Sequence, residues 1–412
     1  FGSLTLTMFR RYYLSTLNSV HARLLSTSAR LQANRAIVYS RNGQPAEVVR
    51  AFTIPTLPAP PPQTVNVRFI LSPINPADVN VIEGVYPSKP QASSFPGAQG
   101  DLFVAGNEGL AEVTSVGDGV KGLERGDWVV MKASQVGTWR SAANLLEGQL
   151  LKVPRVEGLS EVNAATMMVN PATAHCLLYH FVTLGAGQWV IQNGANSAVG
   201  QAVIQLAKNA GLKTINLVRN RDDMDTLRKE LEDLGATHVA TYDELLDKKT
   251  IKAKVKDWTN GQDIRLGLNC VGGESTTSMA GLLGNNAHLV TYGAMAKRPL
   301  TLPASFHIFK NLTSHGFWLS RWYKDNSEGQ SKLVEELART MASGKFKEPR
   351  HEIVDIGREA SDETATTAIR EVFQRMTLGE VKKKLSSKCR TLDPEQAHFA
   401  TGNPYNVFRT YR

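Results

Sequence analysis

The sequence is short of cysteine: Cys176, Cys270 and Cys389 are its only three, and they lie far apart with no CxxC pair. That spacing argues against a disulfide framework and a structural zinc site and fits a reducing compartment. Nowhere do about 18 apolar residues run together, so no membrane-spanning helix is expected. Acidic residues are missing from the first 30 positions, which hold Arg10, Arg11, Arg23 and Arg30. The formal charge of +9 therefore overstates the basicity of the rest, since 9 less those 4 leaves +5. An excess of that size suits a phosphate-rich ligand. It lacks the basic stripe with interleaved aromatics that marks a nucleic-acid partner.

What is present begins with that acid-free segment. FRRYYLSTLNSVHARLLSTSAR is rich in Arg, Ser, Thr and Leu and can be drawn as a basic amphipathic helix, so residues 1–34 are expected to be a mitochondrial transit peptide that directs the chain to the matrix. AIVYS and VNVRFILSPI then read as strands on either side of the Pro-rich connector IPTLPAPPP. The glycines and alternating apolar residues of GNEGLAEVTSVGDGVKGLERGDWVVMKA predict short strands in a partly closed barrel. From about Asn163 the pattern changes to apolar strands alternating with amphipathic helices, which implies a parallel sheet with crossover helices. The expected organisation is a β-rich domain over 35–165, a Rossmann doubly wound domain over 166–314 and a return to the first domain over 315–375, with helices near 331–343 and 360–373. The tail, 376–412, is polar and weakly periodic and reads as a loosely ordered extension.

The most informative segment is QWVIQNGANSAVGQAVIQLAK, a buried strand running into a turn of small residues and then a helix. First-turn amides and the helix dipole make such a turn a seat for a pyrophosphate. Against GxGxxG, Ala195 and Ser197 replace two glycines and only Gly200 survives, so context has to support the match. The next strand supplies it. TINLV ends in Arg219, Asn220 and Arg221 where an NAD site usually places an Asp or Glu for the ribose 2′-hydroxyl. Two guanidiniums there suit the 2′-phosphate of NADPH. Cys270 reads as a small hydrophobe in a buried strand, and His175 and His180, without a metal partner at useful spacing, read as structural.

Several segments together resemble the medium-chain dehydrogenase/reductase superfamily, and within it the mitochondrial trans-2-enoyl thioester reductases. They are SPINPADVNVIEGVYPSKP, GNEG, GTWR, VNPATA, IQNGANSAVGQAVIQLA, LNCVGGES, VTYGAMAKRP and GFWLSRW, spanning about residues 35–350. The resemblance implies a GroES-like catalytic domain beside the Rossmann domain, and a homodimer. Asn107 stands in GNE where the zinc-dependent members carry a ligand histidine, and no four-cysteine loop follows, so no zinc is expected. A carbon–carbon double bond conjugated to a thioester carbonyl needs no Lewis acid. It needs a hydride at the β carbon and a proton from a positioned weak acid at the α carbon.

The resemblance gives the proton to Tyr86, whose phenol is an acid of suitable strength. It lines the NADPH site with Asn170, Asn196, Ser197, Ala198, Val199, Arg219, Asn220, Arg221, Tyr292, Gly293, Ala294, Met295, Phe317, Trp318 and Leu319, and with Lys388 from the tail. Trp139 and Trp318 are expected to wall the acyl cleft, and backbone amides to stabilise the enolate oxygen. The substrate is then an enoyl thioester carried on acyl carrier protein or coenzyme A, reduced in the last step of mitochondrial fatty acid synthesis. Two other readings stay open. One is an NADPH quinone reductase on the same zinc-free fold; the other is a mitochondrial RNA- or assembly-binding protein, for which only the basic tail speaks.

Overall fold

The computed structural model describes residues 34–356, 360–377 and 405–409. Residues 1–34, apart from Asn34, and Lys388 lie outside them.

The β-rich part is organised by one long strand, Thr64–Pro73. Val65, Val67 and Phe69 are fully buried and share a face at the two-residue period of a strand, packing with Ala111, Val113, Val129 and Leu145. Leu110–Val116 pairs along one edge, followed by Trp128–Met131 and Leu150–Lys152, all antiparallel. The other edge is shared: Ala142–Leu146 pairs with its first half, and Tyr405–Arg409 with Ser72 and Pro73. Register shifts between Asn66 and Val67 and between Phe69 and Leu71 bend and twist the strand, which is how the sheet curls without closing. A separate three-stranded sheet, in the order Arg50–Ile54, Asn34–Tyr39, Phe103–Val104, completes this half.

Two sequence readings change here. Residues 405–409, assigned to a loosely ordered tail, form a strand inside the larger sheet, between His351–Asp355 and Thr64–Pro73. Trp139, expected in the acyl cleft, is completely buried. Its indole N–H donates to the Pro73 carbonyl at 3.0 Å, and its ring packs edge-on against Phe408 at 5.2 Å and tilted against Phe373 at 5.8 Å. The physical reason is shared: Trp139 needs an apolar partner, and the returning strand brings Phe408 to it.

The second half is a six-stranded parallel sheet with helices on its faces. In space its strands run His238–Thr241, Lys213–Val218, Trp189–Asn193, Leu266–Asn269, His288–Thr291, Thr313–Gly316, so the order along the chain is 3-2-1-4-5-6. This is the doubly wound arrangement, with its switch point between Trp189–Asn193 and Leu266–Asn269. One apolar cluster joins the two halves, uniting Leu71, Leu110 and Val153 with Leu177, Val203, Leu268 and Leu337. The helices expected near 331–343 and 360–373 are Ser327–Ala342 and Asp362–Thr377. No helix among the described residues is long and apolar enough to cross a membrane.

Phe408→Ala is expected to cost about 3–5 kcal/mol, because a large ring leaves a cavity that Trp139 and Phe373 cannot fill. Chemical denaturation of the two proteins measures it. A loss below about 1 kcal/mol would mean that this strand is not docked as described.

Candidate active site

At the switch point the chain leaves the central strand Trp189–Asn193 through a turn at 194–197. Gly194 has φ +60°, and a Cβ there would come within 2.5 Å of the Cys270 sulfur, so only glycine fits. Gly200 is the surviving glycine of the motif for a packing reason: a Cβ on it would meet the Ala195 carbonyl oxygen at 2.5 Å. Ser197 caps the helix Ala198–Asn209, its hydroxyl accepting from Gly200 N–H at 3.2 Å. The helix N-terminus, with Ala198 and Val199 partly exposed, is thus aimed into the crevice where a pyrophosphate would lie.

Below the turn, the buried amides of the strand ends lock the loops together. Asn193 donates to Asn269 at 2.8 Å and accepts from Cys270 N–H at 2.8 Å. Tyr242 accepts from Gly194 N–H at 2.8 Å. Burial pushes the Cys270 thiol up to about 11, which keeps it protonated and agrees with its reading as a small core residue. The loop after His288–Thr291 is tied to the one after Leu266–Asn269: Tyr292, Met295 and Ala296 donate to the carbonyls of Asn269, Cys270 and Val271. Gly293 and Ala294 lie within that loop. Arg219 and Asn220 are exposed at the end of the second strand, and Arg221 is partly exposed beside them.

The opposite wall is built by the helix Pro76–Glu83. It ends at Gly84, with φ +82°, and a Cβ there would strike the Asn42 side chain at 2.8 Å. The chain turns back over the helix end, where Tyr86 N–H donates to the Asn80 carbonyl at 3.2 Å. Tyr86 therefore projects from a fixed stem. Its hydroxyl accepts a 2.9 Å hydrogen bond from the indole N–H of Trp318, with the rings edge-on at 6.1 Å. Trp318 follows the last strand of the parallel sheet, between Phe317 and Leu319, both partly buried against the cluster that also holds Val199 and Tyr292.

At the start of the helix Pro76–Glu83 lies a polar network whose two acids, Glu108 and Asp78, the sequence did not single out. Glu108 is buried, accepting from Asn75 Nδ2 at 2.8 Å and from Val169 N–H at 2.7 Å. Asn75 in turn accepts from Asn170 Nδ2 at 2.7 Å, so the amide of Asn170 faces this network. Asp78, also buried, accepts from Asn75 N–H at 2.8 Å and from Asn107 Nδ2 at 2.9 Å. Burial raises both carboxyls, Glu108 to about 8 and Asp78 to about 6, although their hydrogen bonds pull the other way. The only signals in the sequence were an acid in GNEG beside apolar residues and an Asn three places before an Asp at a helix start. Each alone is common on protein surfaces.

This arrangement does not fit a zinc ion. The carboxamide of Asn107 is occupied at both ends, donating to Asp78 and accepting from Gln135 N–H at 2.7 Å. Among the described residues no three His, Cys, Asp or Glu side chains are grouped to hold a metal. His175 instead meets Glu336 at 3.1 Å on the protein surface. The crevice at the switch point does fit a dinucleotide, since the capped helix Ala198–Asn209 opens there with its first residues partly exposed.

A β-rich half bearing Tyr86 and a doubly wound half with a nucleotide turn define a dehydrogenase of the alcohol-dehydrogenase type. In agreement, residues 61–175 match the alcohol dehydrogenase GroES-like domain and residues 198–338 match the zinc-binding dehydrogenase family. More narrowly, the chain belongs to the mitochondrial enoyl-[acyl-carrier-protein] reductases. It is 43% identical over 343 residues to the Schizosaccharomyces pombe enzyme, covering 83% of this chain and 92% of that one. To the Homo sapiens enzyme it is 43% identical over 325 residues, 79% and 83% of the two chains. Among solved structures, the Etr1p/NADP/crotonyl-CoA complex superposes with a TM-score of 0.80 at 32% identity, covering 92% of this chain and 99% of that one. The mitochondrial 2-enoyl thioester reductase Etr1p/Etr2p heterodimer from Candida tropicalis gives 0.79 over the same shares. A putative NADPH:quinone reductase from Bacillus thuringiensis, at 19% identity, shares the fold alone.

Because folding raises the Glu108 carboxyl above its ordinary value of 4.5, the native state holds that proton more tightly than the unfolded one. Stability from this group is therefore fully present below about pH 4.5 and is lost as pH rises through about 8. Asp78 acts with the same sign in the lower window, from 3.8 to about 6. Thermal unfolding between pH 6.5 and 9 should show a falling midpoint. Glu108→Gln should flatten that fall while costing about 1–3 kcal/mol overall, since one amide end faces a donor. An unchanged slope in the variant would assign the pH dependence to other groups.

Proposed function

We propose that this protein reduces trans-2-enoyl thioesters to saturated acyl thioesters with NADPH, with Tyr86 as the proton donor. The observation that carries the reading is the Trp318–Tyr86 hydrogen bond. An indole can only donate, so it occupies a lone pair of the phenol oxygen and leaves the phenol's own proton free for the substrate. The bond also connects the wall bearing Tyr86 to the segment at 317–319 that borders the nucleotide crevice.

NADPH, when bound, supplies the hydride that reaches the β carbon. The helix N-terminus at Ala198 and Val199, with Asn196 and Ser197 in the turn before it, receives the pyrophosphate. Arg219 and Arg221, with Asn220 between them, bind the 2′-phosphate. Asn170, the loop of Tyr292, Gly293, Ala294 and Met295, and Phe317 and Leu319 enclose the rest. Buried backbone amides near the thioester stabilise the enolate oxygen, in a site where water is excluded and a donor is worth more. The substrate half comprises residues 35–165 and 315–375 and the cofactor half residues 166–314. The carrier is acyl carrier protein or coenzyme A, the working form a homodimer, and the compartment the mitochondrial matrix, with residues 1–34 as the import signal. The relatives named above support the reaction and the mitochondrial setting.

Tyr86→Phe should lower kcat by about 10²–10⁴-fold with little change in the dissociation constant of NADPH. Trp318→Phe, which keeps a ring and removes the N–H, should lower kcat by up to about tenfold. The solvent isotope effect on kcat distinguishes donation from positioning, because only a protein that still uses Tyr86 retains it. A Tyr86→Phe enzyme with full activity would end the assignment. Arg219→Ala combined with Arg221→Ala should raise the KM for NADPH at least about tenfold and leave that for NADH unchanged. Wild-type protein that uses the two nucleotides equally would overturn the arginine argument.

A further inference from the structure

Beside the Tyr86–Trp318 pair the surface opens into a cavity of about 660 Å³. One side is Lys132 and Ser134, the other Trp318 and the helix Leu319–Asp325, which contributes Ser320, Arg321 and Lys324. The hydroxyls of Ser134 and Ser320, 3.4 Å apart, bridge the two sides. Arg321 and Lys324 are three residues apart on one helix and so sit as neighbours on it.

Three cations face this space and one carboxylate, Asp325, shares it, which leaves a surplus of two positive charges. None of the three makes an ion pair with any described residue. A cavity ringed by three cations is a poor seat for the far end of an acyl chain, which carries no charge to meet them. It is right for a phosphate, which takes charge-assisted hydrogen bonds from Lys and Arg.

We infer that this cavity is the seat of the phosphate at the distal end of the phosphopantetheine arm, held by Lys132, Arg321 and Lys324. The inference rests on the enoyl thioester reading above. It follows from position: a thioester whose α carbon lies at Tyr86 has its acyl chain on one side and its carrier arm on the other, and the cavity adjoins Tyr86 through Trp318 and Ser88. Coenzyme A and acyl carrier protein share this phosphate, so one subsite serves both carriers.

Three thioesters with the same enoyl group separate the possibilities: the coenzyme A ester, the holo-acyl carrier protein ester and the N-acetylcysteamine ester, which has no phosphate. Each is assayed with wild type, Arg321→Glu, Arg321→Lys and the triple alanine variant of Lys132, Arg321 and Lys324. The expected result is a KM at least about tenfold higher for both phosphate-bearing esters in Arg321→Glu and the triple variant. The kcat stays within about twofold, Arg321→Lys recovers most of the affinity, and the N-acetylcysteamine ester is unaffected. Unchanged KM for both carriers overturns the inference. A rise confined to acyl carrier protein also overturns it, because the cations would then meet the acidic surface of that protein. So does a rise confined to coenzyme A, which would point to its adenosine phosphates, and so does an equal loss with the N-acetylcysteamine ester. Failure of the wild type to reduce any of the three esters would instead defeat the reading on which the inference rests.

Discussion

Burying a carboxyl group costs free energy unless hydrogen-bond partners meet it, and Glu108 is met by Asn75 and Val169, which come from different parts of the fold. Asn75 begins the helix whose far end carries Tyr86; Val169 precedes the helix that opens with Asn170. Asn75 also accepts a hydrogen bond from the Asn170 amide, so one asparagine touches both anchors. If either half slides, Glu108 is left with an unsatisfied oxygen in a dry interior. The penalty for such a loss, about 1–3 kcal/mol, resists relative motion of the two walls. The placement of the helix that leads to Tyr86 against the one that opens with Asn170 is therefore held by a polar lock as well as by apolar packing.

The two walls are also tied at the top, where Trp318 meets Tyr86 across 232 positions of sequence. The lower contact is buried and two-sided. The upper one is a single hydrogen bond between partly exposed rings, the kind of contact that can open and reform as a substrate enters.

The sequence showed most clearly what is local. The strand, turn and helix at 189–209, the arginines after the next strand and the alternation that makes a parallel sheet each depend on neighbours in the chain, and the structure contains them. What depends on distant partners stayed hidden. Glu108 looked like one more acid in a glycine-rich turn, because nothing in its own segment reveals Asn75 or Val169. Trp139 looked like a cleft aromatic, because Phe373 and Phe408, which cover it, arrive more than two hundred residues later. The strand Tyr405–Arg409 was invisible for a related reason: five residues are too few to show a period, and all its hydrogen-bond partners are remote. Tyr86 and Trp318 were each picked out, but the bond between them could not be.

The placement of Tyr405–Arg409 inside a sheet, between His351–Asp355 and Thr64–Pro73, bears on how this chain comes together in time. A strand made early on the ribosome must wait for a partner roughly 330 residues downstream before its edge is filled, a contact of very high sequence separation that folds slowly. Until then Thr64–Pro73 offers open backbone groups, and Trp139 lacks its apolar cover. The parallel sheet has all its strands by Gly316, so the β-rich half is the last to close, and a chain that stops before Tyr405 is left with a gap within its sheet.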